Sequence, residues 1–266
     1  MDTSLIFFRV TGYLKYIFVS LNRKGHDIHS PFVFDIVSRV FRNKTDPSVV
    51  RNIEMLRAGL LKDKRVIKVT DLGVCADNQM DNQRKVSAIA RYSAVSGKYG
   101  MLLANMAAEF GRPLVIEFGT SLGISTMYLA LSCGETPVFS MEGCPKTSEI
   151  AGENFRKAGL RNITLRVGPF EESLPEIIER GISPGLVFID GNHRKEPLLY
   201  YFNAMAGISD KNSVIIIDDI NYSREMSEAW SEIKQNGKVS ITIDIFRMGI
   251  VFFREGIVHK DYIIRY

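Results

Sequence analysis

The sequence predicts an α/β fold: a doubly wound, mostly parallel sheet with an antiparallel C-terminal hairpin and a helical N-terminal cap. Three observations predict it. From Pro113 onward, short apolar runs alternate with amphipathic segments of helical period, which is typical of strand–helix repeats in a parallel sheet. Near the C-terminus the apolar runs follow one another with too little chain between them for a helix, so antiparallel pairing is expected. Residues 1–100 show helical periodicity and many charges.

The N-terminal region is predicted to be helical, and we expect a cap over residues 1–100 and an α/β domain over residues 101–266. In "HSPFVFDIVSRVF", Ser30 is a suitable cap and Pro31 suits the first helical position. The apolar segment "MDTSLIFFRVTGYLKYIFVSL" is interrupted by Arg9 and Lys15, which predicts one or two amphipathic helices rather than a membrane span. Such helices would pack on the core or on a second subunit, so a homodimer is left open.

The α/β region is read as five strand–helix repeats followed by strands alone. The predicted strands of the repeats are "LVIEF", "PVFSME", "ITLRV", "GLVFID" and "SVIIID". Each precedes a segment of helical period, such as "ISTMYLALS" after the first strand. The strands "VSITIDIF", "GIVFFRE" and "DYIIRY" complete the sheet without intervening helices.

The composition is that of a globular protein, with a formal net charge of +4 and a pI of about 8.9. This excess of basic residues is too small to indicate nucleic-acid binding. The three cysteines, Cys75, Cys133 and Cys144, are odd in number and form no C-x-x-C motif. Reduced thiols in a reducing compartment are therefore expected, which predicts a cytoplasmic protein.

The segment "VIEFGTSLGISTMYLALS" predicts a ligand-binding turn after the first strand of the α/β region. Gly119 and Gly123 allow a tight turn and a close approach of a ligand to the backbone. In an open parallel sheet, ligands bind at the carboxyl ends of the strands. A dinucleotide-binding turn has the pattern G-x-G-x-x-G, whereas here the pattern is E-x-G-x-x-x-G.

Two carboxylates narrow the choice of ligand. Glu117 would disfavour a pyrophosphate but would suit a cation such as the amine of an amino acid. Glu142, at the end of the second strand, can accept hydrogen bonds from the two hydroxyls of a ribose. A ligand with an adenosine and a charged amino-acid tail is S-adenosylmethionine, and the alternative is a glycine turn that binds nothing.

Five motifs in order resemble those of class I S-adenosylmethionine-dependent methyltransferases, most closely the catechol and caffeoyl-CoA O-methyltransferase type. They are "VIEFGTSLGISTMYLA", "SMEGCP", "VGPFEESL", "LVFIDGNHRKEP" and "VIIIDDINYS". The N-terminal "GHDIHSPFVFD" is similar to bacterial methyltransferase-like proteins of unassigned substrate. The resemblance implies a Rossmann-like sheet of seven strands and an enzyme that methylates an oxygen of a small molecule. The cofactor-binding residues that it implies are Glu117, Gly119, Ser121, Gly123, Ser125, Glu142, Gly168, Phe170 and Asp190.

An acidic cluster is expected where two further strands end. Asp190 follows one strand, and Asp218 and Asp219 follow the next. Carboxylates that lie close together need a cation or hydrogen-bond donors, and hard oxygen ligands suit Mg²⁺. The resemblance implies that these three residues hold a divalent metal, although Asp219 stands where asparagine is usual. It also makes His193, with Asp190, the candidate catalytic pair, with His193 as the base that takes the acceptor proton.

Several alternatives stay open at this point. Arg194 and Lys195 are other candidates for the base, and Asp219 could act as a base or hold a substrate cation. The chain could bind the cofactor without turnover, or methylate nucleic acid or protein; a nicotinamide dehydrogenase fits the turn least. The rival turn in "VIKVTDLGVCADN" is followed by no apolar helix and is predicted not to bind the cofactor.

Overall fold

The computed structural model describes residues 3–21, 28–43, 45–70 and 82–266. The chain forms two compact units. The discontinuous unit contains Met1–Arg42 and Val187–Tyr266, and the continuous unit contains Asn43–Leu186. The proposed division near residue 100 stays a prediction. Cys75 and most of the rival turn, which spans residues 66–78, fall within residues 71–81 and so lie outside the described residues.

Helices cover much of the described chain. They are α1 (Thr3–Val19), α2 (Pro31–Asp35), α3 (Pro47–Leu60), α4 (Val86–Tyr92), α5 (Gly97–Phe110), α6 (Ile124–Ser132), α7 (Pro145–Lys157), α8 (Phe170–Glu179), α9 (Lys195–Ile208) and α10 (Arg224–Lys234). The α2 helix continues directly into a π-helical segment, Ile36–Val40.

The strands form a two-stranded ribbon and a mostly parallel sheet of eight strands. The ribbon strands are β1 (Val66–Lys68) and β2 (Gln83–Lys85). The sheet strands are β3 (Val115–Phe118), β4 (Val138–Glu142), β5 (Ile163–Val167), β6 (Leu186–Ile189), β7 (Val214–Ile217), β8 (Ile241–Asp244), β9 (Gly249–Phe252) and β10 (Lys260–Ile263). The predicted Rossmann-like α/β fold is confirmed, but the implied strand number of seven is wrong. The extra strand is accounted for by the apolar run at the C-terminus, which forms β10.

The predicted helix start at Ser30 and Pro31 is confirmed. The Ser30 hydroxyl accepts a hydrogen bond from the Val33 amide at 3.4 Å, and Pro31 occupies the first turn of α2. At the start of α3, Asp46 accepts from the Ser48 amide at 2.8 Å. Each cap satisfies an amide that has no partner within its own helix, which fixes where the helix begins.

In the continuous unit, β4 lies between β3 and β5 and is parallel to both. All residues of β3 are buried, as expected for a strand covered on both faces. Helices α5 and α6 pack closely at Gly100, where an added Cβ would lie 2.3 Å from the Tyr128 ring. The register pairs Phe118 with Met141 and Glu142 with Val167, so the carboxyl ends of β3, β4 and β5 share one edge.

In the discontinuous unit the strand order is β10–β8–β9–β7–β6. Strand β9 is antiparallel to β7 and β8, which confirms the predicted hairpin. The expected antiparallel pairing is wrong for β10, which pairs with β8 in parallel; this is possible because β9 lies between them along the chain. Helix α1 is attached to this end of the sheet by Tyr16, whose hydroxyl donates to the Ile264 carbonyl at 2.7 Å.

Helix α1 presents apolar side chains to solvent. Phe7, Val10, Leu14 and Phe18 follow one face at helical spacing, and each is at least half exposed. Among the described helices, none is long and apolar enough to cross a membrane. The homodimer stays a prediction.

Candidate functional site

The glycine turn after β3 has the tight geometry that the sequence predicts. Gly119, Ser121 and Gly123 have φ angles of 99°, 48° and 85°, a conformation that favours glycine. The amides of Gly119 and Thr120 both donate to the Met141 carbonyl, at 3.0 and 3.1 Å. The turn is therefore fixed to the end of β4, and it leads directly into α6.

Gly123 is required for space as well as for conformation. An added Cβ would lie 2.5 Å from Cε1 of Phe155, a buried ring on α7. Gly134 is a matched control, because its φ of 64° is also positive but nothing lies within 4 Å of an added Cβ. Substitution at Gly134 therefore tests the conformational cost alone.

We expect Gly123→Ala to destabilise the protein more than Gly134→Ala. The control should cost about 1–2 kcal/mol for the left-handed conformation. Gly123→Ala should cost about 1–3 kcal/mol more, because the Phe155 ring must move within a packed core. Urea unfolding of both variants measures the difference. Equal costs would contradict the assigned contact.

Glu117 is buried completely at the end of β3. Its Oε2 accepts from the Ser140 hydroxyl at 2.6 Å and from the Thr126 hydroxyl at 2.5 Å. Its Oε1 is buried and has no hydrogen-bond partner of good geometry in the part of the chain that the structure describes. Burial raises the pKa of this carboxyl, although the hydroxyls of Ser140, Thr126 and Ser125 oppose the rise. Glu117 thus keeps one acceptor oxygen that a bound donor could satisfy.

Glu142 orders the backbone around the glycine turn. Its Oε2 accepts from the Ser121 amide at 2.6 Å, and its Oε1 accepts from the Cys144 amide at 2.9 Å. A carboxylate oxygen has two lone pairs and can accept from hydroxyl donors as well as from amides. The sequence indicated that Glu142 could bind ribose hydroxyls. It did not indicate that Glu142 also accepts hydrogen bonds from the Ser121 and Cys144 amides.

The remaining predicted cofactor residues of the continuous unit lie near the same strand ends. The Gly168 amide, at a φ of 139°, donates to the Glu142 carbonyl at 3.0 Å. Phe170 begins α8, and its ring meets the Phe118 ring edge-on with centroids 5.6 Å apart. Ser125 is buried in the first turn of α6.

The donor and acceptor chemistry of the continuous unit fits S-adenosylmethionine. The unpartnered Glu117 oxygen suits an ammonium group, and the Glu142 carboxylate suits ribose hydroxyls. The sequence did not identify Thr126 and Ser140, whose hydroxyls orient Glu117. The short polar side chains in "GIST" and "VFSME" were the available signal.

The discontinuous unit contains the predicted catalytic pair. His193 Nε2 lies 3.7 Å from Asp190 Oδ1, just after β6, and both side chains are partly exposed. The His193 ring also lies against the Tyr222 ring, with centroids 5.6 Å apart. Lys195, the alternative base, forms ion pairs with Glu232 at 2.5 Å and Glu228 at 3.6 Å. The geometry therefore favours His193 over Lys195 as the residue oriented by Asp190.

Asp218 and Asp219 follow β7 as predicted, but their main partner is Arg247. Asp218 is completely buried, and its two oxygens accept from Arg247 Nε at 2.9 Å and Nη2 at 2.7 Å. Arg247 Nε also lies 3.6 Å from Asp219 Oδ1. Burial, together with the Asp218 charge, raises the pKa of Asp219, while Arg247, His193 and Arg9 oppose the rise.

Arg9 and Tyr222 extend this polar cluster. The Arg9 guanidinium lies over the Tyr222 ring, 4.0 Å from its centroid, and Arg9 Nε donates to the Tyr222 carbonyl at 2.8 Å. Arg9 Nη2 and Asn192 Oδ1 are buried and find no hydrogen-bond partner among residues 3–21, 28–43, 45–70 and 82–266. Neither Arg9 nor Arg247 was identified from the sequence, because each is distant along the chain from the residues that it contacts.

The side chains as they lie do not fit a divalent metal at Asp218. Both oxygens of this carboxylate accept hydrogen bonds from Arg247. A metal ion would have to displace the Arg247 guanidinium, which is also positively charged. In the described parts of the chain, no group of three or more His, Cys, Asp or Glu side chains is arranged to hold a metal ion. The magnesium site stays a prediction from the resemblance.

Comparison with known proteins agrees with this geometry. Residues 116–220 match the family described as "Methyltransferase domain". Over these residues the chain is similar to that family. The matched residues include the glycine turn, Glu142 and all three aspartates. The resemblance to class I O-methyltransferases is thereby confirmed.

Individual relatives point the same way. The chain is similar to a "Catechol O-methyltransferase" of Mycobacterium tuberculosis, with 33% identity over 48% of this chain and 57% of that protein. It is also similar to an "Uncharacterized RNA methyltransferase" of Clostridium acetobutylicum, with 26% identity over 64% of this chain and 34% of that protein. The matches thus span about half, or less, of these curated relatives.

The fold is shared with solved structures. An O-methyltransferase from Bacillus cereus, solved in complex with SAH, superposes with a TM-score of 0.55 at 20% identity. The match covers 83% of this chain and 97% of that one. At this identity the likeness establishes the shared fold.

Proposed function

We propose that the protein is an S-adenosylmethionine-dependent methyltransferase that acts on an oxygen of a small molecule. The observation that carries the proposal is Glu117, a completely buried carboxylate whose Oε1 has no hydrogen-bond partner of good geometry among the described residues. A buried acceptor without a partner is costly unless a ligand satisfies it. The cationic amine of the cofactor is a suitable donor, and the adjacent glycine turn allows the close approach that such a ligand needs.

The chain's own residues then have distinct roles. Glu117 would bind the amine, and Glu142 would bind the ribose while holding the turn through Ser121. When bound, S-adenosylmethionine supplies a methyl group on a sulfonium that is already a strong donor. His193 would take the proton of the acceptor hydroxyl, so that the acceptor oxygen could accept the methyl group and the cofactor would be left as a neutral thioether.

Binding of S-adenosylhomocysteine tests the cofactor site. We expect micromolar affinity for the wild type, and about 10- to 150-fold weaker binding for Glu142→Ala, which loses charge-assisted hydrogen bonds. Glu149→Ala is the matched control, because Glu149 lies on the adjacent helix α7 and pairs with Lys146 at the surface. Calorimetric titration measures all three proteins. Absence of binding to the wild type would overturn the proposed function.

A second candidate, methylation of RNA, is favoured by the relatives named as RNA methyltransferases. It predicts RNA binding whose affinity falls steeply with salt concentration. Transfer to a small hydroxylated acceptor, with no salt-dependent RNA binding, distinguishes the proposed function from this candidate. Cofactor binding without transfer to any acceptor would indicate a binding module. The cytoplasmic location and the homodimer stay predictions.

A further inference from the structure

The Arg247 guanidinium lies among carboxylates that the resemblance would assign to a metal. It forms a two-point hydrogen bond with Asp218, whose side chain is completely buried, and Nε lies 3.6 Å from Asp219. Burial by itself lowers the pKa of Arg247. The pKa is nevertheless raised, because the hydrogen bond and charge of Asp218 and the charges of Asp219 and Asp190 outweigh the effect of burial. All three predicted metal ligands therefore interact electrostatically with this one cation.

The hairpin between β8 and β9 holds Arg247 firmly in this position. The Arg247 amide donates to the Ile245 carbonyl at 2.9 Å, and the Arg247 carbonyl accepts from the Ile220 amide at 3.1 Å. Next to it, the Phe246 carbonyl accepts from Asn221 Nδ2 at 2.7 Å. The turn is thus bonded twice to the segment that follows Asp218 and Asp219. The fold therefore fixes the backbone position from which the Arg247 guanidinium reaches Asp218.

We infer that Arg247 is the built-in cation of the Asp190–Asp218–Asp219 cluster and takes the place of the divalent metal that the resemblance implies. A guanidinium presents donors in a planar fork that matches the two oxygens of a carboxylate. The Arg247–Asp218 pair has no net charge, so Asp218 has no need of a second cation. A divalent ion at Asp218 would have to break both hydrogen bonds and would be repelled by the arginine.

This inference rests on the proposed function and narrows the acceptor class. A metal that binds two adjacent hydroxyls selects catechol-like acceptors. With a guanidinium in its place, two adjacent oxygens are no longer required. The acceptor class becomes a small molecule with a single reactive hydroxyl, whose proton is taken by His193 next to Asp190.

The test measures the effect of Mg²⁺ on thermal unfolding of the full-length protein. We expect 10 mM Mg²⁺ to leave the melting temperature of the wild type unchanged. Arg247→Met, which leaves the carboxylates without their cation, should gain about 3–6 °C from the same addition, as for a millimolar site in a protein of this size. The double variant Asp218→Asn/Arg247→Met is the control and should gain nothing.

Two results would overturn the inference. One is Mg²⁺ stabilisation of the wild type that Asp218→Asn abolishes, since metal and arginine would then coexist. The other is a folded Arg247→Met variant that gains nothing from Mg²⁺. If Arg247→Met fails to fold, Mn²⁺ binding to the wild type and to Asp218→Asn is compared by electron paramagnetic resonance titration. We expect the two proteins to bind Mn²⁺ equally, because the inference predicts no metal site at Asp218. Titration of the wild type with S-adenosylhomocysteine in EDTA separately tests the proposed function.

Discussion

Replacing Arg247 with methionine should lower the free energy of unfolding by about 3–5 kcal/mol in metal-free buffer. The change leaves the Asp218 carboxylate buried without its cation and without two hydrogen bonds. Water cannot compensate the charge, because no part of Asp218 is exposed. Urea unfolding at neutral pH, followed by circular dichroism, measures the loss.

Arg166→Met is a closely matched control. Arg166 makes the same kind of two-point contact with Glu176, at 3.0 and 2.8 Å, but both side chains are more than one third exposed. Ion pairs in contact with solvent contribute little, so this variant should unfold close to the wild type. The double variant Asp218→Asn/Arg247→Met should recover part of the lost stability, because it leaves no buried charge unpaired. Equal losses for Arg166→Met and Arg247→Met would contradict the explanation.

The order of the elements could be predicted because it depends on local sequence. Ser30 and Pro31 mark the start of α2, and the buried strand β7 reads directly as the run "VIII". The neighbours of β10 could not be predicted in the same way. Parallel pairing of β10 with β8 depends on the order of strands in the sheet, and periodicity along the chain does not encode that order.

Some residues of the candidate site could likewise be predicted from the sequence, and others could not. Residues at strand ends, such as Glu117 and Asp218, could be predicted because parallel strands align their carboxyl ends. Arg247 is 29 positions from Asp218, and the two meet only because β9 pairs with β7. The sequence did indicate that a cluster of three acids needs compensation. It did not indicate that the compensating charge belongs to the protein itself.

Binding of S-adenosylhomocysteine at mildly acidic pH should release a proton from Glu117. Burial raises the pKa of this carboxyl above its ordinary value of 4.5, so the free protein holds the proton at pH values where an exposed glutamate would not. The cationic amine of the ligand favours the ionised form and lowers the pKa again. Affinity should therefore rise with pH above 4.5 until the free protein has also lost the proton.

Calorimetry in two buffers of different ionisation enthalpy measures this release. For the wild type, the observed binding enthalpy should differ between the two buffers. At the acidic end of the range the difference should correspond to the release of about one proton per ligand bound. Glu117→Gln has the same shape but cannot titrate, so its enthalpies should agree between buffers and its affinity should be weaker. Glu149→Gln, an exposed change on α7, should behave as the wild type. Buffer-independent enthalpy for the wild type across this pH range would remove Glu117 from the amine site.

The free energy of unfolding of the ligand-free protein tests independently whether the pKa of Glu117 is raised in the folded state. A carboxyl whose pKa is higher in the folded state contributes stability below the unfolded pKa and loses it as the pH rises through the folded pKa. The stability of the wild type should therefore fall relative to Glu117→Gln as the pH is raised above 4.5. Parallel pH profiles for the two proteins would show that Glu117 titrates normally, and its unpartnered oxygen would then be no argument for a bound cation.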